Sequence, residues 1–191
     1  MLAEVEDAMI ERCQRLIGEH VKTVEDLPGN WDDATLKAAR RKVPGIYIAW
    51  SGGAAIPGVR AGINGRYAVY VVTGQASGER ARRRGNGREV GAYEILERVV
   101  PGLHGLSVPG VGTLQLERVD NLYSDRADQQ GIVIYGAVFG MAKMMFPAAL
   151  DANDSATGLA NFEIYHATHK VPAGPDTETH LTLPTGSEEQ P

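Results

Sequence analysis

Apolar positions recur at helical spacing from the start of the chain. Leu2, Val5, Met9, Cys13, Leu16 and Ile17 fall on one stripe, which predicts an amphipathic helix stopping at Gly18. A second helix is predicted from Asp33 to about Arg41. Asp32 or Asp33 caps its start, and Lys37, Arg40, Arg41 and Lys42 gather at its end, so both ends suit the helix dipole. Pro44 closes it. The strongest helical repeat is Ala92, Ile95, Leu96, Val99, Val100 and Leu103. Pro101 and Gly102 predict a stop near Val100, with Leu103 packing beyond the helix.

Strand patterns fill the intervals. Val21–Val24 predicts a short strand, and Gly45–Trp50 a longer one rich in β-formers. Ser51-Gly52-Gly53 and Ile56-Pro57-Gly58 read as the loop of a hairpin excursion. The returning strand, Arg66–Thr73, is apolar on both faces, which predicts a central strand covered on each side. Leu114–Tyr123 and Ile132–Met141 form a further pair across the polar loop Ser124–Gly131. Leu114 and Leu116 alternate but Val119 and Leu122 break the period, which predicts a bulge. Asn161–Thr168 alternates as one more strand. The fold class expected is α+β: a mainly antiparallel sheet with helices packed on it, plus a C-terminal strand and arm.

Composition adds a division of charge. The chain has 191 residues, 43% of them hydrophobic, which suffices for one cored domain. Net charge is −5. From Pro147 onward there are seven acids against the single base Lys170, a net −6, so the first 146 residues sum to +1. The expected organisation is a body over 1–146, a linker of small and polar residues over 147–160, and a strand with an acidic, Pro-rich arm over 161–191. Net acidity gives no reason to expect general binding to nucleic acid. The N-terminus has neither a basic region nor an apolar core, so no secretory signal is read. No apolar run reaches membrane-helix length, so no membrane partner is expected.

The search for chemistry returns little. Gly110-Val111-Gly112 precedes a strand instead of opening a helix, so it is not a phosphate cradle. Gly74–Gly78 lacks the nucleophile-elbow spacing. Cys13, on the apolar stripe, reads as a small core residue. His166 and His169 are three apart on a predicted strand and so face opposite ways; with His180 they read as surface histidines. No catalytic residue, cofactor or metal is expected. The one anomaly is Arg80, Arg82, Arg83, Arg84 and Arg88 with only Glu79 nearby, a net +4 between Gly78 and Arg88. Arg80, Arg82, Arg83 and Arg84 fall in the Gly-rich segment Gly74–Gly87, expected as a loop, and Arg88 directly follows it. Three readings stay open: a solvated loop, a contact with an acidic protein surface, or a contact with DNA phosphate. The acidic arm is a candidate for the second, on a neighbouring copy. The expected assembly residues are therefore these arginines together with Phe162, Ile164 and Tyr165 of the C-terminal strand.

Several stretches together resemble a family of Mu-like phages and prophages encoded beside tail sheath and tube genes. They are Met1–Ala8, Arg66–Thr73, Gly91–Leu96, Leu114–Tyr123 and Gly131–Tyr135, within about Met1–Phe139. The resemblance implies a structural tail terminator, a homohexameric ring on the last tube ring that halts polymerisation. The partners implied are its own copies (about six), the tail tube protein and a head–tail connector or neck protein, with the sheath protein as a further contact. DNA is implied only in passage through the channel, and the location is the neck end of the virion tail after assembly in the host cytoplasm. Other neck or sheath-cap roles, and a DNA-contacting module built on Arg80–Arg88, are the alternatives. Family members are expected to end soon after the last body strand, leaving Ala148–Pro191 outside the resemblance.

Overall fold

The computed structural model describes residues 1–27, 31–74, 78–122, 124–146, 164–169 and 177–182. The chain divides into two compact units, Met1–Ala148 and Ala149–Pro191.

In the first unit, α1 (Leu2–Ile17) is followed by a 3-10 turn, Gly18–His20, and β1 (Thr23–Asp26). Then come α2 (Asp33–Arg41), β2 (Gly45–Ala55), β3 (Gly62–Gly74), α3 (Glu79–Arg84) and α4 (Ala92–Leu103). The unit finishes with β4 (Ser107–Val108), β5 (Gly112–Asn121), α5 (Asp125–Gln129) and β6 (Ile132–Met145). The six strands form one sheet in the order β1-β2-β3-β6-β5-β4. Only β1 and β2 pair in parallel; the other pairings are antiparallel. A parallel pair cannot be joined by a tight turn, and α2 supplies the crossover. The class is α+β.

Helices cover the sheet on both faces. Val5, Met9, Cys13 and Ile17 of α1 and Ala92, Ile95, Val99 and Leu103 of α4 pack on one face. They meet Ile46 and Ile48 of β2, the odd residues Tyr67, Val69 and Val71 of β3, and Tyr135, Ala137 and Phe139 of β6. On the other face, Leu36 and Ala39 of α2 pack with Tyr47, Val72, Ile132 and Ile134. The strand apolar on both faces is therefore central, between β2 and β6. Each Val, Leu, Ile, Met or Phe side chain buried there contributes roughly 1.5–3 kcal/mol, so these two layers hold the unit together.

Several local expectations change. Ser51-Gly52-Gly53 is strand and not loop: β2 continues to Ala55, with a bulge between Trp50 and Gly52 that lets Gly52 take a positive φ. The Gly-rich segment before α4 contains α3, and the polar loop 124–131 contains α5. Neither helix has an apolar stripe to announce it, and neighbours hold both. Pro101 does not end α4, which runs to Leu103. Leu103 is fully buried, and Arg12 donates to the part-buried carbonyl of Gly102 at 3.0 Å, so packing and a cap offset the missing amide. The stop expected at Gly18 holds, since Ile17 is the last residue of α1; Gly18 caps it at a φ of −53° and a 3-10 turn follows. The bulge expected in β5 falls between Leu116 and Arg118.

In the second unit, β7 (Ile164–His169) pairs antiparallel with β8 (Thr177–Thr182). The small, polar segment expected as a linker lies outside the described residues.

Candidate functional site

The arginine cluster is built on α3 and the turn after it. Glu79 in the first turn and Arg82, Arg83 and Arg84 in the last match the dipole, and Glu79 holds Arg83 at 2.8 Å across one turn. Gly85, at φ +76°, ends the helix. Asn86 then accepts from the amides of Arg88 and Glu89 at 3.0 and 2.9 Å, so the turn is braced. Gly91 opens α4, where the amide of Gly91 donates to Glu94 at 2.8 Å. A side chain at Gly91 would collide with the backbone of Arg83, Arg84 and Gly85, so only glycine permits this close approach of α3 to α4.

The five arginines separate into two groups. Arg82 pairs with Asp128 at 3.2 Å and is mostly covered, its side chain 13% exposed. Its carbonyl accepts from Thr73 at 2.6 Å, which satisfies the buried hydroxyl. Arg83 donates to the Tyr93 hydroxyl at 3.4 Å, and Tyr135 donates to the same oxygen at 3.3 Å. The hydrogen bonds from Tyr135 and Arg83 lower the pKa of Tyr93, while burial pushes Tyr135 up to about 12. The Tyr93 hydrogen bond in turn raises Arg83. Arg82 and Arg83 therefore tie α3 to the body. Arg80 and Arg84, one helical turn apart, and Arg88 are exposed, and their side chains hold no ion pair among the described residues.

The other expected assembly residues are placed less fully. Ile164 and Tyr165 stand in β7 opposite Thr182 and Leu181, and Phe162 lies outside the described residues. His166 and His169 are both in β7, and His166 stands opposite His180, a register that sequence spacing alone did not reveal. Cys13 is buried among apolar side chains, and that burial pushes its thiol up to about 12. The depressions on the first unit are open. One of about 380 Å³ is lined by Arg66 and Glu117, which neutralise each other at 2.6 Å. Among the described residues, no three His, Cys, Asp or Glu gather as a metal site, and no helix is long and apolar enough to cross a membrane. Sequence reasoning missed the sheet edge: beyond Leu116, no described residue pairs with the outer side of β5, and Val119 and Leu122 are exposed there.

The first unit thus carries three exposed arginines on a short helix and the braced turn after it, and, among the described residues, an unpaired strand edge. The chain belongs to the phage family described as Bacteriophage Mu, Gp37, whose model matches residues 1–143. This is a structural family, not one of enzymes. The chain is 29% identical to the Mu-like prophage FluMu protein gp37 of Haemophilus influenzae, over 98% of its own length and 93% of the relative's. It is 28% identical to the probable tail terminator protein of Escherichia phage Mu, over 96% of its own length and 94% of the relative's. A chain of the virion of a native gene transfer agent particle is similar at 15% identity and a TM-score of 0.42, over 73% of this chain and 93% of that one. The two sequence relatives match almost the whole chain, so they share the segment after the last body strand. The expectation that relatives stop there is corrected.

Proposed function

We infer that this protein is a tail terminator, an oligomeric ring that caps the tail tube of a phage particle. The match to the Mu protein along nearly the full length of both chains carries the reading. In it, about six copies close through heterologous contacts, each using two different surfaces. The first unit suits that use, being compact, with its own core and an open edge at β5. The ring sits at the neck end of the tail and is assembled in the host cytoplasm. One of its faces ends the tube protein's polymerisation. The opposite face receives a head–tail connector or neck protein, and the rim meets the sheath. DNA passes the channel without being held. The test is mass photometry of the full chain alone and with tube protein. A closed oligomer, formed free or on tube ends, and tubes that stop growing support the reading. A stable monomer that leaves tube growth unchanged contradicts it.

A further inference from the structure

Among the described residues, the second unit shows one hairpin. Its described strands are β7 and β8, six residues each, paired only with each other. A two-stranded hairpin by itself is marginal in water and needs a further surface to lie on. The segment is also strongly acidic, a net −6 from Pro147 to the end. Glu163 directly precedes β7, Asp176 directly precedes β8, and Glu178 stands within β8 opposite Thr168.

The body offers a matching surface. Arg80, Arg84 and Arg88 present three guanidinium groups that internal pairs leave available, whereas Arg82 and Arg83 are engaged by Asp128, Glu79 and Tyr93. Guanidinium and carboxylate form forked, charge-assisted hydrogen bonds, so the chemistry is complementary. We propose that the acidic C-terminal segment of one copy docks on the exposed Arg80, Arg84 and Arg88 of the neighbouring copy and so straps the ring together. The proposal rests on the ring reading and adds the segment and residues that make one contact. The 17 residues between Phe146 and Ile164 span up to about 60 Å when extended, long enough to cross a subunit border. In a heterologous ring the contact repeats at every border and closes without a free end.

The experiment uses full-length protein. Arg80→Glu/Arg84→Glu/Arg88→Glu is compared with wild type by mass photometry across salt. The expected result is assembly weakened by about tenfold, what three exposed ion pairs supply together, with an unchanged Tm. Wild-type assembly loosens in the same sense towards ~1 M salt, where screening is nearly complete. Adding Asp176→Arg/Glu178→Arg/Glu188→Arg/Glu189→Arg to the triple variant restores assembly. A second measurement identifies the partner copy. Arg84→Lys protein is prepared with light and heavy nitrogen, mixed, and joined by a carboxyl–amine cross-linker. Cross-links from Lys at 84 to the acidic segment that combine light with heavy peptides support the strap.

Four outcomes overturn the strap. Cross-links only within one isotope place the segment on its own body. A triple variant that assembles like wild type at every salt removes the strap and leaves the ring reading standing. A triple variant that assembles normally but loses salt-sensitive binding to an oligonucleotide assigns these arginines to nucleic acid. A wild-type chain that stays monomeric both free and on tube overturns the strap and the ring reading together.

Discussion

At the residue scale the arginines show what the sequence conveys and what it conceals. Five arginines in nine positions are visible in the chain, but nothing in their spacing says which of them work inside the body. That depends on Asp128, Thr73 and Tyr93, which are remote in sequence from some or all of them. Arg82→Ala should therefore lower the Tm by roughly 2–4 °C in a thermal melt, while Arg84→Ala should leave it unchanged. Equal melts for the two would contradict the division. Cys13 was legible, since its place on the apolar stripe marks it as core. Its thiol, pushed up to about 12 by burial, should not react with an aromatic disulfide reagent at pH 8 until the protein unfolds. The same burial acts on tyrosines: Tyr47 is pushed up to about 12, and Tyr67 and Tyr70 are raised as well. A raised folded pKa supplies stability that is complete below the unfolded value and is lost as pH rises towards the folded one. Those ordinary values are 9.0 for the thiol and 10.0 for tyrosine. The Tm should thus hold up to about pH 9 and fall steadily above it. A Tm flat to pH 11 would contradict the account.

At the element scale, the elements with a period were legible and those without one were not. The stripes of α1 and α4 and the doubly apolar β3 follow from the order of residues, because their burial faces are written in it. The N-cap of α2 was equally readable, and Asp32 accepts from the Thr35 amide at 2.7 Å. The helices α3 and α5 have no such period. Ala127 is buried in α5, but five residues are too few to show a repeat. Tertiary contacts decide both, and one of these contacts can be tested. Gly91→Ala puts a methyl group into the backbone of Arg83–Gly85, so α3 must shift from α4. The expected cost is about 1–3 kcal/mol in urea unfolding, together with weaker assembly, because the shift also moves Arg80 and Arg84. Met9→Ala, at a fully buried site of α1, should cost about 2–5 kcal/mol and leave these arginines in place.

At the scale of the whole molecule, fold class and lack of catalytic motifs could be read from the chain, while the assembly could not. A ring is a property of surfaces meeting other copies, and one sequence shows only which residues are polar. The resemblance supplied the tail reading over the body, and the relatives extend it across the acidic segment. That extension alters the place of the C-terminal unit, which is shared equipment of these proteins and not an addition to this chain. Among the described residues, the structure contributes the division of the arginines, the open edge at β5 and the pairing of β7 with β8, and each of these directs attention to contacts between copies. The central claim is that this chain closes the tube at the neck end. The most direct measurement is a cryo-EM map of the particle, with this chain located by its side-chain density. The account predicts a closed ring of this chain on the last ring of tube protein, below the neck. A map that places the chain at the baseplate end, or nowhere in contact with tube protein, would contradict it.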